Sequence, residues 1–329
     1  MSELTQILVA IDERQSRGEP MALATIVATA GSTYRHAGAR LLVPVEGIPI
    51  GNISGGCLEE DVARIGREVI ADGHARLVSF DLTADDDAVW GYGLGCNGSF
   101  EIFVEPTEGA VATAAALRQH DEGCLVTVLT GPYVGSHRFE TDTDHGRTPR
   151  ILEQDGARVL HEPILPPMRL IVCGAGHDAI PLVRQSAELG WRVTVADVRR
   201  SLLSGERFPG AADFCDADPE QSAQAMAPDQ RTAVVLMSHN YLRDTAYLGS
   251  FLGADWAYLG VLGPRGRTEQ MLGELGASEA IERLQAPAGL DIGAEGPEEV
   301  ARSIVAEILA VTRGRRGGPL RDRAGPIHG

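Results

Sequence analysis

The stretch RLIVCGAGHDAIPLVRQSAELGWRVTVADVRR, residues 169–200, decides the fold of the second half of the chain. An apolar strand, Leu170 to Cys173, runs into Gly174-Ala175-Gly176. A helix follows to about Leu189, and a second apolar strand, Val193 to Ala196, stops at Asp197. Strand, helix and strand within roughly 30 residues make a βαβ unit. The glycines allow a tight turn and let an anion approach the helix N-terminus, where free N–H groups point outward. A carboxylate at the tip of the second strand accepts hydrogen bonds from ribose hydroxyls, so Gly174, Gly176 and Asp197 are candidate ligand contacts. His177 replaces a neutral residue and is a candidate to read the ligand. Asp178 brings negative charge into the phosphate turn, which is unhelpful unless it caps the helix. The turn is therefore read as open to NAD, to another nucleotide, to a pterin phosphate or to nothing.

Moving outward, TAVVLMSHN (232–240) and WAYLGVLG (256–263) are apolar runs ending in polar or Gly-rich loops. They read as buried parallel strands whose C-terminal ends face a ligand crevice. Pro297 followed by two acids starts a helix, PEEVARSIVAEILAVT. The first half lacks βαβ order. ALATIVAT, ARLLVPV and FEIFVEP read as strands between Gly-rich loops, and LEEDVARIGREVIADG as a helix with Leu58, Val62, Ile65 and Val69 on one face. An N-terminal helix buries Leu4, Leu8 and Ile11. The stretch LHEPILPPM holds three prolines and favours an extended path. The expected fold class is thus α/β: an α+β domain over 1–160, a linker over 161–168, a Rossmann-like parallel-sheet domain over 169–313, and a disordered basic tail over 314–329.

Composition sets limits on function. The 329 residues carry a net charge of −17, which opposes nucleic acid or an anionic membrane as main partner. No run of 18 apolar residues exists, so no membrane span is expected. The N-terminus lacks the basic region of a signal peptide. Five widely spaced cysteines without a CxxC argue against a zinc knuckle or a disulfide scaffold, and suit a reducing cytoplasm.

Two of those cysteines sit in Gly-rich loops. In GNISGGCLEEDV (51–62), Cys57 follows Ser54-Gly55-Gly56 at the start of a helix, where N–H groups favour an anion, either a thiolate or a bound phosphate. Glu59, Glu60 and Asp61 oppose the thiolate. The bland alternative is a cap-region cysteine packed like alanine. Cys96 lies in GYGLGCNGSFEIFVEP, where four glycines suit close backbone approach to a ligand or, alternatively, a structural glycine loop. A third loop, TAGSTYRHAGARLLV, offers Ser32, Thr33 and Arg35, suited to an anion or a polar ring, or else to a capped turn with a surface arginine. Cys173 belongs to a core strand, and Cys124 and Cys215 have no functional context. His239, at a strand end, is either a ligand contact or a polar cap.

Taken together, GSTYRHAGARLLV, GNISGGCLEEDV, GLGCNGSFEIFVEP, CGAGHDAIPL and GLDIGAEGPEEVARSIVAEIL resemble the XdhC/CoxI family, over nearly the whole chain. These are accessory factors for molybdenum hydroxylases of the xanthine dehydrogenase and aldehyde oxidase type. The resemblance implies a chaperone that binds and protects the molybdenum cofactor, supports exchange of an oxo ligand for sulfido, and helps insertion into the apo-enzyme. It implies a molybdenum hydroxylase apo-enzyme as partner; a cysteine desulfurase as a second partner and assembly as a homo-oligomer are further expectations. Ser32, Thr33, Arg35, Ser54, Gly55, Gly56, Cys57, Cys96 and Asn97 would then surround the cofactor. Cys57 and Cys96 are candidate contacts to molybdenum or its sulfur ligands, since thiolates are soft donors. Gly174, Gly176 and His177 would cradle a phosphate, and Asp197 a ribose if a nucleotide is present. Tyr34 stands where the family usually has Pro, and Asn97 where it commonly has Gly. A side chain at 97 narrows that loop or adds a polar contact, which bears on whether molybdopterin or its cytosine dinucleotide form fits. No C-x₄-C-x₂-C iron–sulfur pattern is present, so an accessory factor is expected rather than the dehydrogenase itself.

Two rivals remain from the residues. One is an NAD-dependent oxidoreductase using the Gly174 turn, with Asp197 favouring NAD over NADP; no proton-transfer pair identifies itself for it in the sequence. The other is a protein adaptor in which neither domain holds a ligand.

Overall fold

The computed structural model describes residues 2–82, 97–118, 122–141, 146 and 148–324. The chain divides into two units, one spanning 3–166 and the other 167 onward.

The N-terminal unit is α+β, as expected. In chain order it holds α1 (Glu3–Arg17), β1 (Met21–Ser32), β2 (Arg40–Pro44), β3 (Ile50–Gly51), α2 (Glu59–Asp72), β4 (Arg76–Asp81), β5 (Asn97–Glu105) and α3 (Thr107–Leu117). Their five strands form an antiparallel sheet in the order β3-β2-β1-β5-β4. Strand β1 explains why both faces of that sheet are covered. Ala22, Ala24 and Ile26 point to one side and pack with Val62 and Val69 of α2, whereas Met21 and Leu23 point to the other and meet Ile7, Ile11, Ala110 and Ala114. Gly66 of α2 has no room for a β-carbon, which would lie 2.9 Å from Val43, so the helix rides close on the sheet. The buried stripe of α1 is Ile7, Ala10 and Ile11, while Leu4 is exposed. The expected Leu4-Leu8-Ile11 stripe is rotated because Ile7, which it left out, is the residue that fills the sheet face.

A second antiparallel sheet, not expected from the sequence, completes this unit: β6 (Gly123–Val128), β7 (His137–Glu140), β8 (Arg150–Gln154) and β9 (Ala157–Ile164), ordered β7-β6-β9-β8. Asp155 and Gly156, both at positive φ (52° and 77°), make the tight β8–β9 turn. Strand β9 takes up much of the segment read as a linker. Pro163 is tolerated in it because β8 pairs only as far as His161, leaving one side of β9 open there. The division between the units falls after Pro166.

The second unit is a parallel sheet. β10 (Arg169–Cys173), α4 (Ala179–Glu188), β11 (Arg192–Ala196) and β12 (Asp213–Cys215) build one wing; α5 (Ser222–Met226) leads to β13 (Thr232–Leu236), α6 (Tyr241–Leu252), β14 (Tyr258–Val261) and α7 (Arg265–Glu274) in the other. The order is β12-β11-β10-β13-β14, with every pairing parallel. The chain winds outward from β10 in one direction, then from β13 in the other, so the strand order reverses between β10 and β13. Helix α8 (Pro297–Thr312) starts at Pro297 as read and packs Ala301, Ile304 and Ile308 on the core with Val172 and Val235. Among its described residues, the basic tail carries one 3₁₀ turn, Leu320–Asp322. No helix among the described residues is long and apolar enough to cross a membrane.

Candidate functional site

In the N-terminal unit, the structure brings two of the three candidate loops together. The loop after β1 lays the ring of Tyr34 against Gly55, 3.4 Å from where a β-carbon on that glycine would sit. Gly55 and Gly56 both have positive φ (83° and 115°), and a β-carbon on Gly56 would meet nothing within 4 Å. Cys57 follows, partly buried against the core that includes Ile53, Leu58 and Val62.

The anion held by this loop is the chain's own. Glu59 Oε1 accepts from the N–H of Ile53 at 3.1 Å and of Ser54 at 2.9 Å. Its Oε2 accepts from the N–H of Gly56 at 2.9 Å and of Leu58 at 3.2 Å, and from the Ser54 hydroxyl. Burial alone would raise the Glu59 carboxyl, but the Ser54 hydroxyl and the N–H groups of Ser54 and Ile53 outweigh it and hold it below its usual range. The N–H groups that the sequence offers to a thiolate or a phosphate are thus occupied, and Cys57 lies between two of the donors. Ser54, buried, also accepts from Leu58 N–H at 2.8 Å, so its hydroxyl is fully engaged within the loop. Arg35 is paired too: its guanidinium donates to both carboxylate oxygens of Glu3, at 3.3 and 2.5 Å. Thr33 Oγ1 is the orphan of the group, buried without a hydrogen-bond partner.

In the second unit, the carboxyl ends of β10, β11 and β13 meet around the glycine turn. Gly174 (φ 125°) must be glycine, because a β-carbon would lie 2.6 Å from the Met237 carbonyl oxygen. Asp197 is buried, 2% exposed, and its carboxylate is surrounded by donors. Oδ2 accepts from Ala175 N–H at 2.8 Å and from the Arg199 guanidinium at 2.7 Å; Oδ1 accepts from Arg199 N–H and Nε, both at 2.9 Å. Burial raises this carboxyl, yet Arg199 and the two backbone donors prevail and bring it to about 2. A ribose would have to displace Arg199 to reach it. Asp178 lies at the start of α4 without a capping hydrogen bond. Its Oδ2 instead meets His239 Nε2 at 2.5 Å, and its Oδ1 is buried and unpartnered. His177 is exposed at the mouth of the turn.

Comparison with known proteins places this geometry. The signature of the XdhC and CoxI family matches residues 14–81, and that of the XdhC Rossmann domain matches residues 170–308. A probable xanthine dehydrogenase subunit from Bacillus subtilis is 34% identical over 319 residues, covering 88% of this chain and 93% of that protein. This chain belongs to the XdhC/CoxI family. It is also similar to the molybdenum cofactor insertion chaperone PaoD of Escherichia coli, at 27% identity over 89% of this chain and 84% of that one. A crystal structure of a xanthine dehydrogenase from Bacillus halodurans superposes with a TM-score of 0.79 and 29% identity, covering 96% of this chain and 97% of the other.

Within this XdhC/CoxI-family chain, Cys96 lies outside the described residues, as do the side chains of Ser32 and Asn97. Among the described residues no group of three or more His, Cys, Asp or Glu gathers to hold a metal ion. Cys124, Cys173 and Cys215 form no disulfide: Cys124 is buried in β6, where burial first and then Glu140 and Glu162 push its thiol up to about 11, and burial pushes Cys173 up as well. Four residues of the site were missed or left unconnected. Glu59 read only as a first-turn acid. His239 and Asp178 were each noticed, but nothing in their spacing of 61 residues joins them. Arg207, unmarked in the sequence, donates to the Ala175 carbonyl of the glycine turn at 3.3 Å and keeps its Nε buried without a partner.

Proposed function

We propose that this chain is a chaperone of the molybdenum cofactor, acting as accessory factor to a xanthine dehydrogenase-type molybdenum hydroxylase. The observation that carries this reading is the near full-length similarity to a molybdenum cofactor insertion chaperone, beside a family match over residues 14–81 that spans the Cys57 loop. The cofactor is the cargo. Cys57 would meet its molybdenum or sulfur ligands as a soft donor, from a loop that Glu59 holds in one shape. Arg35 and Thr33, on the loop that Tyr34 joins to Gly55, would supply polar contacts to the pterin. Cys96, outside the described residues, and Asn97, the first residue of β5, would complete that surface. Whether plain molybdopterin or its cytosine dinucleotide form is carried follows from how the polar loops read the far end of the ligand. The apo-hydroxylase must compete for the cargo on docking, so retention has to be tight yet reversible. A cysteine desulfurase would supply the sulfur, and the factor would work in the cytoplasm as a homo-oligomer.

The test is retention. Purified protein is incubated with extracted molybdenum cofactor and desalted, and molybdenum and pterin per chain are measured for wild type, Cys57→Ala and Cys96→Ala. Near-stoichiometric retention that drops in either variant is expected. No retention by the wild type would sink the reading.

A further inference from the structure

The Rossmann unit contains a pair of residues that its fold does not require. A dinucleotide-binding unit leaves its glycine turn open to a pyrophosphate, whose two negative charges are met by N–H groups and by the positive end of the helix. Here the turn carries negative charge of its own. Asp178 Oδ1 lies over Gly176, 2.7 Å from the position of a β-carbon there, so a carboxylate oxygen already lies against the turn. The other oxygen, Oδ2, bonds His239 Nε2 at 2.5 Å. That bond ties the turn after β10 to the end of β13 across the reversal of strand order, the place where open parallel sheets receive ligands. Ala175 N–H, a donor that a phosphate would use, is held by Asp197 at 2.8 Å.

His239 is held in place deliberately. Its backbone adopts φ 55°, a left-handed conformation that a non-glycine residue keeps only when its surroundings impose it. They do so through Asp244, 1% exposed. Asp244 Oδ1 accepts from Ser238 N–H at 3.1 Å and from the Ser238 hydroxyl at 2.6 Å, while its Oδ2 accepts from Arg267 at 2.7 Å. On the far side, Asn240 caps α6 by accepting from Arg243 N–H at 3.0 Å. A strained residue braced on both sides and hydrogen-bonded across the crevice is the pattern of a working element rather than of a loop at rest.

We propose that the Asp178–His239 pair is the specificity element of the Rossmann unit: it takes the place of a dinucleotide's pyrophosphate, so that the unit rejects NAD and NADP in spite of its glycine turn. Repulsion between the Asp178 carboxylate and a pyrophosphate, in a site partly screened from water, acts against binding, and the tie to His239 keeps that carboxylate from swinging away. This role replaces the expectation that Gly174, Gly176 and His177 cradle a phosphate, and its test is distinguishable from molybdenum cofactor retention, which is read on Cys57 and Cys96.

Isothermal titration of the full-length chain with NAD⁺ and with NADP⁺ tests it, beside Asp178→Asn, Asp178→Ala and His239→Gly. Glycine suits φ 55° at position 239, so His239→Gly releases Asp178 without threatening the fold and serves even if an Asp178 variant does not fold; thermal unfolding checks each. The wild type is expected to show no saturable heat up to about 1 mM of either dinucleotide. At least one folded variant is expected to bind at least about tenfold more tightly than the wild type's limit. Saturable wild-type binding of either dinucleotide with a Kd below about 1 mM would overturn the proposal, as would folded variants none of which gains that tenfold.

Discussion

The ring of Tyr34 lies against the backbone of Gly55, 3.4 Å from the position of its missing β-carbon, and this contact joins the loop after β1 to the loop that carries Cys57. Tyr34 is 62% exposed, so the ring contributes little burial of its own and acts as a cover. Tyr34→Ala should therefore leave the thermal midpoint within a few degrees of the wild type, since truncation at a largely exposed position changes stability by about 0.5 kcal/mol. It should raise iodoacetamide labelling of Cys57, read by mass spectrometry of that peptide, by about threefold or more, because the backbone bordering the thiol loses its cover. Unchanged labelling would show that the ring does not limit access to the loop.

Glu59 is the organising charge of the same loop. Replacing it by Gln turns one of its two acceptor oxygens into an N–H₂ group that faces N–H donors, either those of Ile53 and Ser54 or those of Gly56 and Leu58. A charge-assisted set of hydrogen bonds is lost and backbone donors are left unpaired, which should cost roughly 2 kcal/mol. Urea unfolding would register it, and amide exchange at 53–58 should accelerate more than exchange in β1. If stability and exchange both stayed at wild-type values, the carboxylate would not be what shapes the loop.

The parallel unit was legible because its strands are buried on both faces and therefore read as unbroken apolar runs, each ending at a glycine or a polar turn. Residues 170–197 fold as read, down to Pro297 at the start of α8. What escaped is the use made of the polar residues. The identity of Asp197 suggested a ribose contact, but Arg199, two positions on, claims the carboxylate. The residue pattern was visible, though not the bend that brings the guanidinium back. Glu59 escaped for a similar reason. A capping box places Ser or Thr three residues before Glu, whereas that position before Glu59 is Gly56 and the serine it bonds lies five back. The β6–β9 sheet was missed because its strands are short and carry charges, as in His137-Arg138-Phe139-Glu140, and because Pro163 reads as a breaker. Asp155-Gly156 was the available signal, a hairpin turn between two strand-like runs.

The two turn glycines should respond unequally to a methyl group. At Gly174 a β-carbon would meet the backbone of Met237 and Ser238 at 2.6–2.7 Å, and φ is 125°, so neither neighbour nor conformation can yield. At Gly176 the close atom is Asp178 Oδ1 at 2.7 Å, the end of a side chain whose shift strains its hydrogen bond to His239 but moves no backbone. Gly174→Ala should cost about 3 kcal/mol or more, and Gly176→Ala about 1 kcal/mol. Chemical denaturation of the two variants side by side decides it. Equal losses would mean that strand β13 gives way at Met237 as easily as Asp178 turns.

The last prediction concerns acid. Asp197 is held at about 2 in the folded chain, against an ordinary value near 3.8, so the folded state binds its proton less readily than the unfolded state does. A carboxyl depressed by folding stabilises the fold above its unfolded pKa, and that contribution fades as pH falls from about 4 to about 2. The difference amounts to about 2 kcal/mol at neutral pH. Asp197→Asn should remove it there and also leave Arg199 without its partner, so the variant should lose at least that much at pH 7 while the gap to wild type narrows towards pH 2. Stability curves by urea unfolding at several pH values would show the convergence. A gap that stays constant across that range would mean that Asp197 acts by shape alone and that its charge contributes nothing to holding the glycine turn.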